Sequence, residues 1–204
     1  MQELMQKLRA ANDARHKIWP GAEKSDLAFS AIEFGGEAGE AAEAADNFTN
    51  YPSEDTVLDM LKQAYAEEVG DVFISLDLMA RDLDITLTGN GITKALLTAI
   101  RHDETDTTYI LRFAGVVGKV MDGVKKYLRH QRGISGNKMG IADIKGKIGV
   151  AMDEALLLIV LAARDAGIDV FDAVPMKFNK TSTKVNVPSF MDRTTWETTT
   201  EAGS

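Results

Sequence analysis

The chain has 204 residues, of which 45% are hydrophobic, so it can bury the core of one domain or of two small ones. Its formal net charge of −8 argues against a nucleic-acid-binding protein, which needs a basic surface. It contains no cysteine, which excludes disulfides and thiolate metal sites. The longest apolar run, residues 155–163, is too short to cross a bilayer, and we therefore expect a cytoplasmic protein that does not contact membranes.

Hydrophobic residues recur at helical spacing along the chain, without strand-like alternation, which predicts an all-α helical bundle. The stretch Trp19-Pro20-Gly21 ends the first helix, and Ser25 or Asp26 is expected to cap the second. The predicted helices cover residues 3–16, the stretch from that cap to residue 48, and then 54–83, 92–100, 109–131, 142–166 and 169–178. Residues 192–204 are rich in threonine and glutamate and are expected to be flexible.

Three glycines, Gly35, Gly36 and Gly39, lie inside the alanine-rich second helix. Each glycine within a helix costs about 1 kcal/mol relative to alanine. We therefore expect another group to come close to the backbone at these positions.

Two acidic couplets are the main candidates for chemistry. Glu37 and Glu40 stand three residues apart in the second predicted helix, and Glu68 and Asp71 stand three residues apart in the third. Residues at this spacing lie on the same face of a helix, so two facing helices would bring the four carboxylates together. Hard divalent cations prefer oxygen ligands, and such a quartet could hold Mg²⁺ around a polyphosphate.

The angular position of each acid around its helix predicts whether its carboxylate points inward or outward. At about 100° per residue, Glu68 falls inside the apolar stripe of the third helix, whereas Glu67 points to the opposite side, where a solvated glutamate is expected. An unpaired buried carboxylate costs several kcal/mol, so Glu68 needs a cation or a proton. The other acids of the second helix are interpreted as surface residues: Glu33, Glu43 and Asp46.

The choice of metal follows from the ligand chemistry. A carboxylate-bridged di-iron bundle needs Glu-x-x-His couplets, and none of the three histidines stands three residues after a glutamate. The available ligands are then oxygens alone, which favours Mg²⁺ or Mn²⁺.

An internal similarity predicts that the chain arose by duplication. Residues 34–48 align with residues 113–127, with one phenylalanine and two mid-helix glycines in common. Residues 78–85 align with residues 161–168 at a constant offset of 83 positions. Chance amphipathicity predicts matching leucines, but it does not predict matching glycines inside helices.

The second predicted copy has lost most of its acidic positions. Three of the four are occupied by Val116, Lys119 and Ala151, and only Glu154 remains acidic. A lysine ammonium at a ligand position repels Mg²⁺ at short range. We therefore expect one metal site per chain, in the first copy, and an ion pair between Lys119 and Glu154 in the second.

These features resemble the MazG-like, all-α nucleoside triphosphate pyrophosphatases, a superfamily related to dimeric dUTPases and dCTP pyrophosphatases. The family signature is ExxE, a spacer of some tens of residues, and then ExxD. Here it reads Glu37-Ala38-Gly39-Glu40 and Glu68-Val69-Gly70-Asp71. Two flanking stretches are also similar to the family: residues 12–19, NDARHKIW, and residues 177–184, KFNKTSTK. The similarity covers most of residues 10–185.

The resemblance implies an enzyme that cleaves a nucleoside triphosphate between its α- and β-phosphates, with Mg²⁺ or Mn²⁺ as cofactor. The implied metal ligands and catalytic acids are Glu37, Glu40, Glu68 and Asp71. The implied substrate-binding residues are Arg15, Trp19, Lys177 and Asn179. Trp19 is either a base-stacking ring or a packed anchor, and for Arg15 and Lys184 a surface position is an equal alternative to a phosphate contact.

The resemblance also implies how the chain is organised. Residues 1–101 would be a repeat with the intact acidic site, and residues 109–185 a degenerate repeat that supplies the Lys-Phe-Asn motif. Family members work as helical dimers or larger assemblies, so the chain would be a fused dimer, and a homodimer of the whole chain is a further expectation. Two alternatives remain open: a catalytically weak nucleotide-binding or regulatory bundle, and a hydrolase of a modified or signalling nucleotide.

Overall fold

The computed structural model describes residues 1–50, 55–88, 106–134, 136 and 138–192. In these residues the regular structure is helical, which confirms the all-α prediction. The helices are α1 (Gln2–His16), α2 (Leu27–Asn50), α3 (Asp55–Asp82), α4 (Asp106–Gln131), α5 (Ile141–Asp165) and α6 (Val170–Lys184), with a short 3₁₀ helix at Ala22–Lys24. The helix predicted at residues 92–100 and the tail from residue 193 onward lie outside the described residues.

A side-chain cap sets the start of α2, and tertiary packing sets the end of α6. Asp26 accepts a hydrogen bond from the backbone N–H of Phe29 at 2.9 Å, so it caps α2 as predicted. The predicted end of α6 at residue 178 is wrong, because the helix continues to Lys184. Its last turns contain threonines and a serine, which are weak helix formers, but Phe178 and Ser182 are fully buried. Tertiary packing therefore extends this helix beyond its local preference.

Helix α3 is the centre of the bundle and contacts α1, α2, α5 and α6. It has buried residues on several of its faces, including Tyr65, Val69, Val72, Phe73, Leu76 and Met79. Helix α4 packs on α5 and on α2. The described chain thus consists of two long hairpins, α2–α3 and α4–α5, with α1 and α6 added against α3.

Close helix packing requires glycine at Gly70 of α3. A Cβ atom there would lie 2.5 Å from Lys177 Cβ and 3.1 Å from the carbonyl oxygen of Ala173, both on α6. Of the three glycines in α2, Gly35 is approached by Met121 of α4, which would lie 3.4 Å from a Cβ atom added there, whereas Gly36 and Gly39 face open space among the described residues. A distance of 3.4 Å to the end of a methionine side chain is ordinary van der Waals contact, so the described residues do not require glycine at any of the three positions, and the expected close approach stays a prediction.

Buried side chains from all six helices belong to one continuous hydrophobic core. The two predicted repeats therefore share their core, and the duplication itself stays a prediction. None of the described helices combines the length and the apolar composition that a membrane crossing requires.

Candidate active site

Glu37 and Glu40 of α2 and Glu68 of α3 form an acidic cluster. Each contributes one carboxylate oxygen, and these three atoms all lie within 4.8 Å of one another. Glu37 and Glu68 are half-buried and Glu40 is exposed. The i, i+3 spacing places the two α2 acids on one face, and the packing of α2 on α3 brings Glu68 opposite them.

The negative charges of the acidic cluster are not fully compensated by the protein groups around it. Glu68 Oε2 is buried and accepts no hydrogen bond from the described residues, and burial raises the pKa of Glu68 in spite of the nearby Lys177. Burial, together with the charges of Asp71, Glu40 and Glu68, raises the pKa of Glu37 to about 7. A divalent cation would satisfy the free oxygen and relieve this repulsion, so an all-carboxylate oxygen donor set fits Mg²⁺ or Mn²⁺.

Asp71 lies beside the acidic cluster and is paired with Lys177 of α6. Lys177 Nζ lies 2.5 Å from Asp71 Oδ2, and the lysine side chain is only 16% exposed. The close crossing of α6 over Gly70 places Lys177 there. The structure therefore brings the lysine of the C-terminal motif to the acids of the first hairpin, as the resemblance implied, while a role of Asp71 as fourth metal ligand stays a prediction.

The expectation that Glu67 is solvated is wrong. Its Oε2 lies 2.6 Å from Lys180 Nζ and 3.9 Å from Lys177 Nζ. A helical wheel treats α3 as an isolated helix, but α6 covers the side of α3 that carries Glu67, and two lysines of α6 meet its carboxylate there.

A cavity of about 350 Å³ adjoins the acidic cluster, between α1, the turn after it, α2 and α3. Glu37 and Asp71 are part of its lining, and so are the two predicted substrate-binding residues Arg15 and Trp19. Small-molecule sites have volumes of roughly 300–1,000 Å³, so the cavity is large enough for one ligand group. Its further lining includes Asn12, His16, Phe29, Ser30, Glu33 and Arg81.

Arg15 is a buried residue of this cavity, which excludes its interpretation as a surface residue. It is 6% exposed, and its guanidinium carbon lies 3.8 Å from the ring centroid of Phe178 and 5.4 Å from that of Trp19. Burial lowers the pKa of Arg15 to about 10 even though Asp71 and Glu33 act in the opposite direction, so it is still charged at neutral pH. Two aromatic faces hold the guanidinium by cation–π contacts.

Asn179 and Lys184 have positions away from the cavity. Asn179 Nδ2 donates to the carbonyl of Met191 at 3.0 Å, and its Oδ1 accepts from the Met191 N–H at 2.7 Å. The Asn179 amide thus holds the segment after α6 against that helix by two hydrogen bonds. Because both of its polar atoms are used in this way, the structure does not support a direct contact of Asn179 with base or sugar. Lys184 is exposed at the end of α6.

Several residues of the site are not evident from the sequence. Glu33, expected at the surface, is exposed but also lines the cavity one helical turn before Glu37. Asn12 and Asp77 belong to a buried polar chain behind Arg15. Phe178 stands inside the Lys-Phe-Asn motif, but only the packing of α6 shows that its ring faces Arg15.

In the second hairpin the predicted ion pair is present. Lys119 Nζ lies 3.4 Å from Glu154 Oε2, while Val116 and Ala151 are buried. Within the described ranges, the acidic cluster of the first hairpin is the group of acids close enough together to share a metal ion. Two metal sites per chain thus have no support in the described residues.

Comparison with known proteins leaves the geometry of the site as the main guide to function. No family model, curated protein or solved structure matches this chain. The resemblance to MazG-like enzymes therefore stays a prediction that rests on the acidic couplets and the two flanking motifs.

Proposed function

We propose that the protein is a metal-dependent nucleoside triphosphate pyrophosphohydrolase, which converts a (d)NTP to the (d)NMP and pyrophosphate. The observation that carries this proposal is the acidic cluster beside a ligand-sized cavity. Three carboxylate oxygens within 4.8 Å of one another can hold a divalent cation, and Glu37 belongs to both the acidic cluster and the cavity lining. Cleavage between the α- and β-phosphates rests on the family resemblance alone.

The ligand set is Glu37, Glu40 and Glu68, with Asp71 as the predicted fourth member. A divalent cation bound there would neutralise the triphosphate and make a water molecule more acidic. The buried, unpartnered Oε2 of Glu68 supports this use, because a buried carboxylate oxygen without a hydrogen bond is costly in a protein that binds nothing there.

Residues around the acidic cluster have distinct proposed roles. Lys177 can exchange its ion pair with Asp71 for a phosphate oxygen, and the Trp19 ring can stack on the base. One glutamate of the acidic cluster could also accept the proton of the attacking water. The water oxygen then forms a bond to the α-phosphorus, and the bond from that phosphorus to the oxygen bridging to the β-phosphate breaks.

The test is pyrophosphate release from a panel of ordinary, modified and signalling nucleotides, with and without Mg²⁺. Glu40→Gln and Glu68→Gln should each lower turnover at least a hundredfold, because an amide is a much weaker ligand for Mg²⁺ than a carboxylate. The matched control is Glu154→Gln in the second hairpin, which should retain wild-type turnover. Circular dichroism should show unchanged helicity in all three variants.

Other outcomes separate the alternatives. Nucleotide binding without pyrophosphate release would indicate a binding or regulatory bundle. Release from a modified or signalling nucleotide alone would indicate a specialised hydrolase. Loss of helicity together with activity in Glu68→Gln would make this acid structural and contradict the proposal.

A further inference from the structure

Arg15 has a donor that the described protein leaves unused. Its Nη2 donates to Asn12 Oδ1 at 3.2 Å, but its Nη1 is buried and has no hydrogen-bond partner among the described residues. A buried donor without an acceptor costs about 1–3 kcal/mol. Arg15 is part of the cavity lining, so a ligand acceptor that reaches Nη1 on binding would recover this free energy.

Arg15 is also held in a fixed orientation. Phe178 and Trp19 flank the guanidinium, and a chain of hydrogen bonds fixes its polar side: Asn12 Nδ2 donates to Asp77 Oδ2 at 2.9 Å, and Arg9 Nε donates to Asp77 Oδ1 at 2.9 Å. Asp77 is 1% exposed, so this chain is built into the core between α1 and α3. A rigid donor in a cavity discriminates between ligands better than a mobile one, because it cannot move to suit a wrong ligand.

The charges around Arg15 favour a neutral acceptor over a phosphate. Glu33 lines the same cavity and is outside the proposed ligand set, so a phosphate group placed beside Arg15 would meet an acid that no cation neutralises. The phosphates have a better position at the acidic cluster, where a cation would neutralise them. A carbonyl oxygen of the base accepts a hydrogen bond from Arg15 without this repulsion.

Glu33 offers the complementary acceptor. Against the larger effect of burial, the charge of Glu33 acts to raise the pKa of Arg15, and the charge of Arg15 acts to lower the pKa of Glu33. Even so, no ion pair joins the two side chains in the described part of the chain. Both line the cavity, so a flat group between them could accept from the arginine and donate to the glutamate. A nucleobase with a carbonyl next to a ring N–H presents this pair of atoms on one edge.

We propose that Arg15 and Glu33 are the base-specificity pair of the cavity and select keto bases over amino bases. In hypoxanthine, guanine and uracil a carbonyl oxygen faces Arg15 and the adjacent ring N–H donates to the Glu33 carboxylate. Adenine and cytosine present an amino group and an unprotonated ring nitrogen at these positions, which leaves both protein groups unpaired. This inference rests on the proposed function, because it takes a nucleotide as the ligand.

Two matched substrate pairs test the proposal, since ITP differs from ATP, and UTP from CTP, at these positions of the base. With Mg²⁺, wild-type kcat/KM should be at least about tenfold higher for ITP than for ATP and for UTP than for CTP. Arg15→Gln should bring the ITP/ATP ratio to within about threefold of one, because the glutamine amide can both donate and accept. Glu33→Gln should lower the ratio for the same reason, and this exposed substitution does not endanger the fold.

A control variant and a binding measurement distinguish a failure of the base preference from a failure of the proposed function. Glu43→Gln, an exposed acid of α2 outside the cavity, should leave both ratios unchanged. Titration calorimetry with ITP and ATP in Mg²⁺ separates the inference from the proposed function: tighter ITP binding without turnover would support the base preference and contradict the hydrolase. Equal wild-type values for ITP and ATP, an equal loss for all nucleotides in Arg15→Gln, or no binding of either nucleotide would overturn the inference.

Discussion

The α2–α3 and α4–α5 hairpins are both long helical pairs in one core, but they differ at their aligned inward positions. The first hairpin has Glu37 and Glu68 where the second has Val116 and Ala151. Val116 is 3% exposed and Ala151 is 8% exposed, so these positions in the second hairpin are ordinary apolar core. The second hairpin packs with apolar side chains at these positions, so packing does not require acids in the first hairpin. Because half-buried acids are costly, we infer that they are present there for function.

The hairpins also differ in what covers them. Helix α6 packs mainly on α3 and only marginally on α5. Gly70 permits this close crossing, whereas Asp153 of α5 occupies the aligned position. The crossing delivers Lys177 to Asp71, and Lys119 and Glu154 of the second hairpin form only a partly exposed pair. The site of the first hairpin thus depends on a third element as well as on its own acids.

The largest effect is expected from Gly70→Ala. The new methyl group would overlap Lys177 Cβ and crowd the Ala173 carbonyl, so α6 must shift. We expect a loss of about 2 kcal/mol in the free energy of unfolding, or roughly 4–8 °C in Tm, and a severe loss of activity. Thermal unfolding by circular dichroism and the pyrophosphate assay measure the two effects.

The control for this substitution is Gly118→Ala, in the second hairpin. A Cβ atom on Gly118 would meet open space among the described residues, and the position lies within a helix, so alanine should stabilise the protein by about 0.5–1 kcal/mol. Equal behaviour of the two variants would show that the α3–α6 crossing is not a constraint on the site.

The next effect concerns Lys177. Lys177→Ala removes the ion pair with Asp71 and the proposed phosphate contact, and kcat/KM should fall at least tenfold, about 1.4 kcal/mol of transition-state stabilisation. Lys180→Ala, which removes an exposed partner of Glu67 on the same helix, should change kcat/KM less than threefold. Wild-type kinetics in Lys177→Ala would exclude this lysine from the site and leave α6 a purely structural cover.

A smaller effect concerns pH. The pKa of Glu37 near 7 lies above its ordinary value of 4.5, so the folded, cation-free protein binds this proton more tightly than the unfolded chain does. The resulting stabilisation is complete below about pH 4.5 and is lost as the pH rises through about 7. Over this range the Tm of the cation-free wild type should fall relative to that of Glu37→Gln.

The same measurement of Tm against pH is repeated with Mg²⁺ and with a control variant of the second hairpin. Added Mg²⁺ should raise the wild-type Tm more at pH 8 than at pH 6, because cation and proton compete for the same carboxylates. Glu154→Gln should keep the wild-type pH dependence. A constant Tm difference between wild type and Glu37→Gln at all pH values would contradict the coupled acidic cluster.

The smallest effect is expected in the second hairpin. The Lys119–Glu154 pair has an N–O distance of 3.4 Å and a 63% exposed lysine side chain. Exposed pairs contribute about 0–1 kcal/mol, so Lys119→Ala should change the free energy of unfolding by less than about 0.5 kcal/mol and leave kcat/KM unchanged. A marked loss of activity would show that the second hairpin also contributes to catalysis.

The helices and the acidic cluster are predictable from the sequence because both depend on local spacing. Apolar residues at helical periods locate α1 to α5 within a few residues, and the residue type of Asp26 identifies it as a cap. Glu37 of α2 and Glu68 of α3 lie where the two helices face each other, so the meeting of these acids follows once α2 and α3 pack together. The full length of α6 is not predictable in this way, because its threonine-rich end is helical only through buried contacts.

By itself, the sequence determined an all-α bundle and the carboxylates that can meet in it, since helical period and residue type act within one element. Only the tertiary structure decided the partners of Glu67, the orientation of Arg15 and the fastening role of Asn179. Each of these depends on which face of a second helix lies opposite: α6 brings Lys180 to Glu67 and Phe178 to Arg15. The spacing of residues along one helix contains no information about the side chains of another, so the cavity and its unused donor appear only when α1, α2, α3 and α6 are packed together.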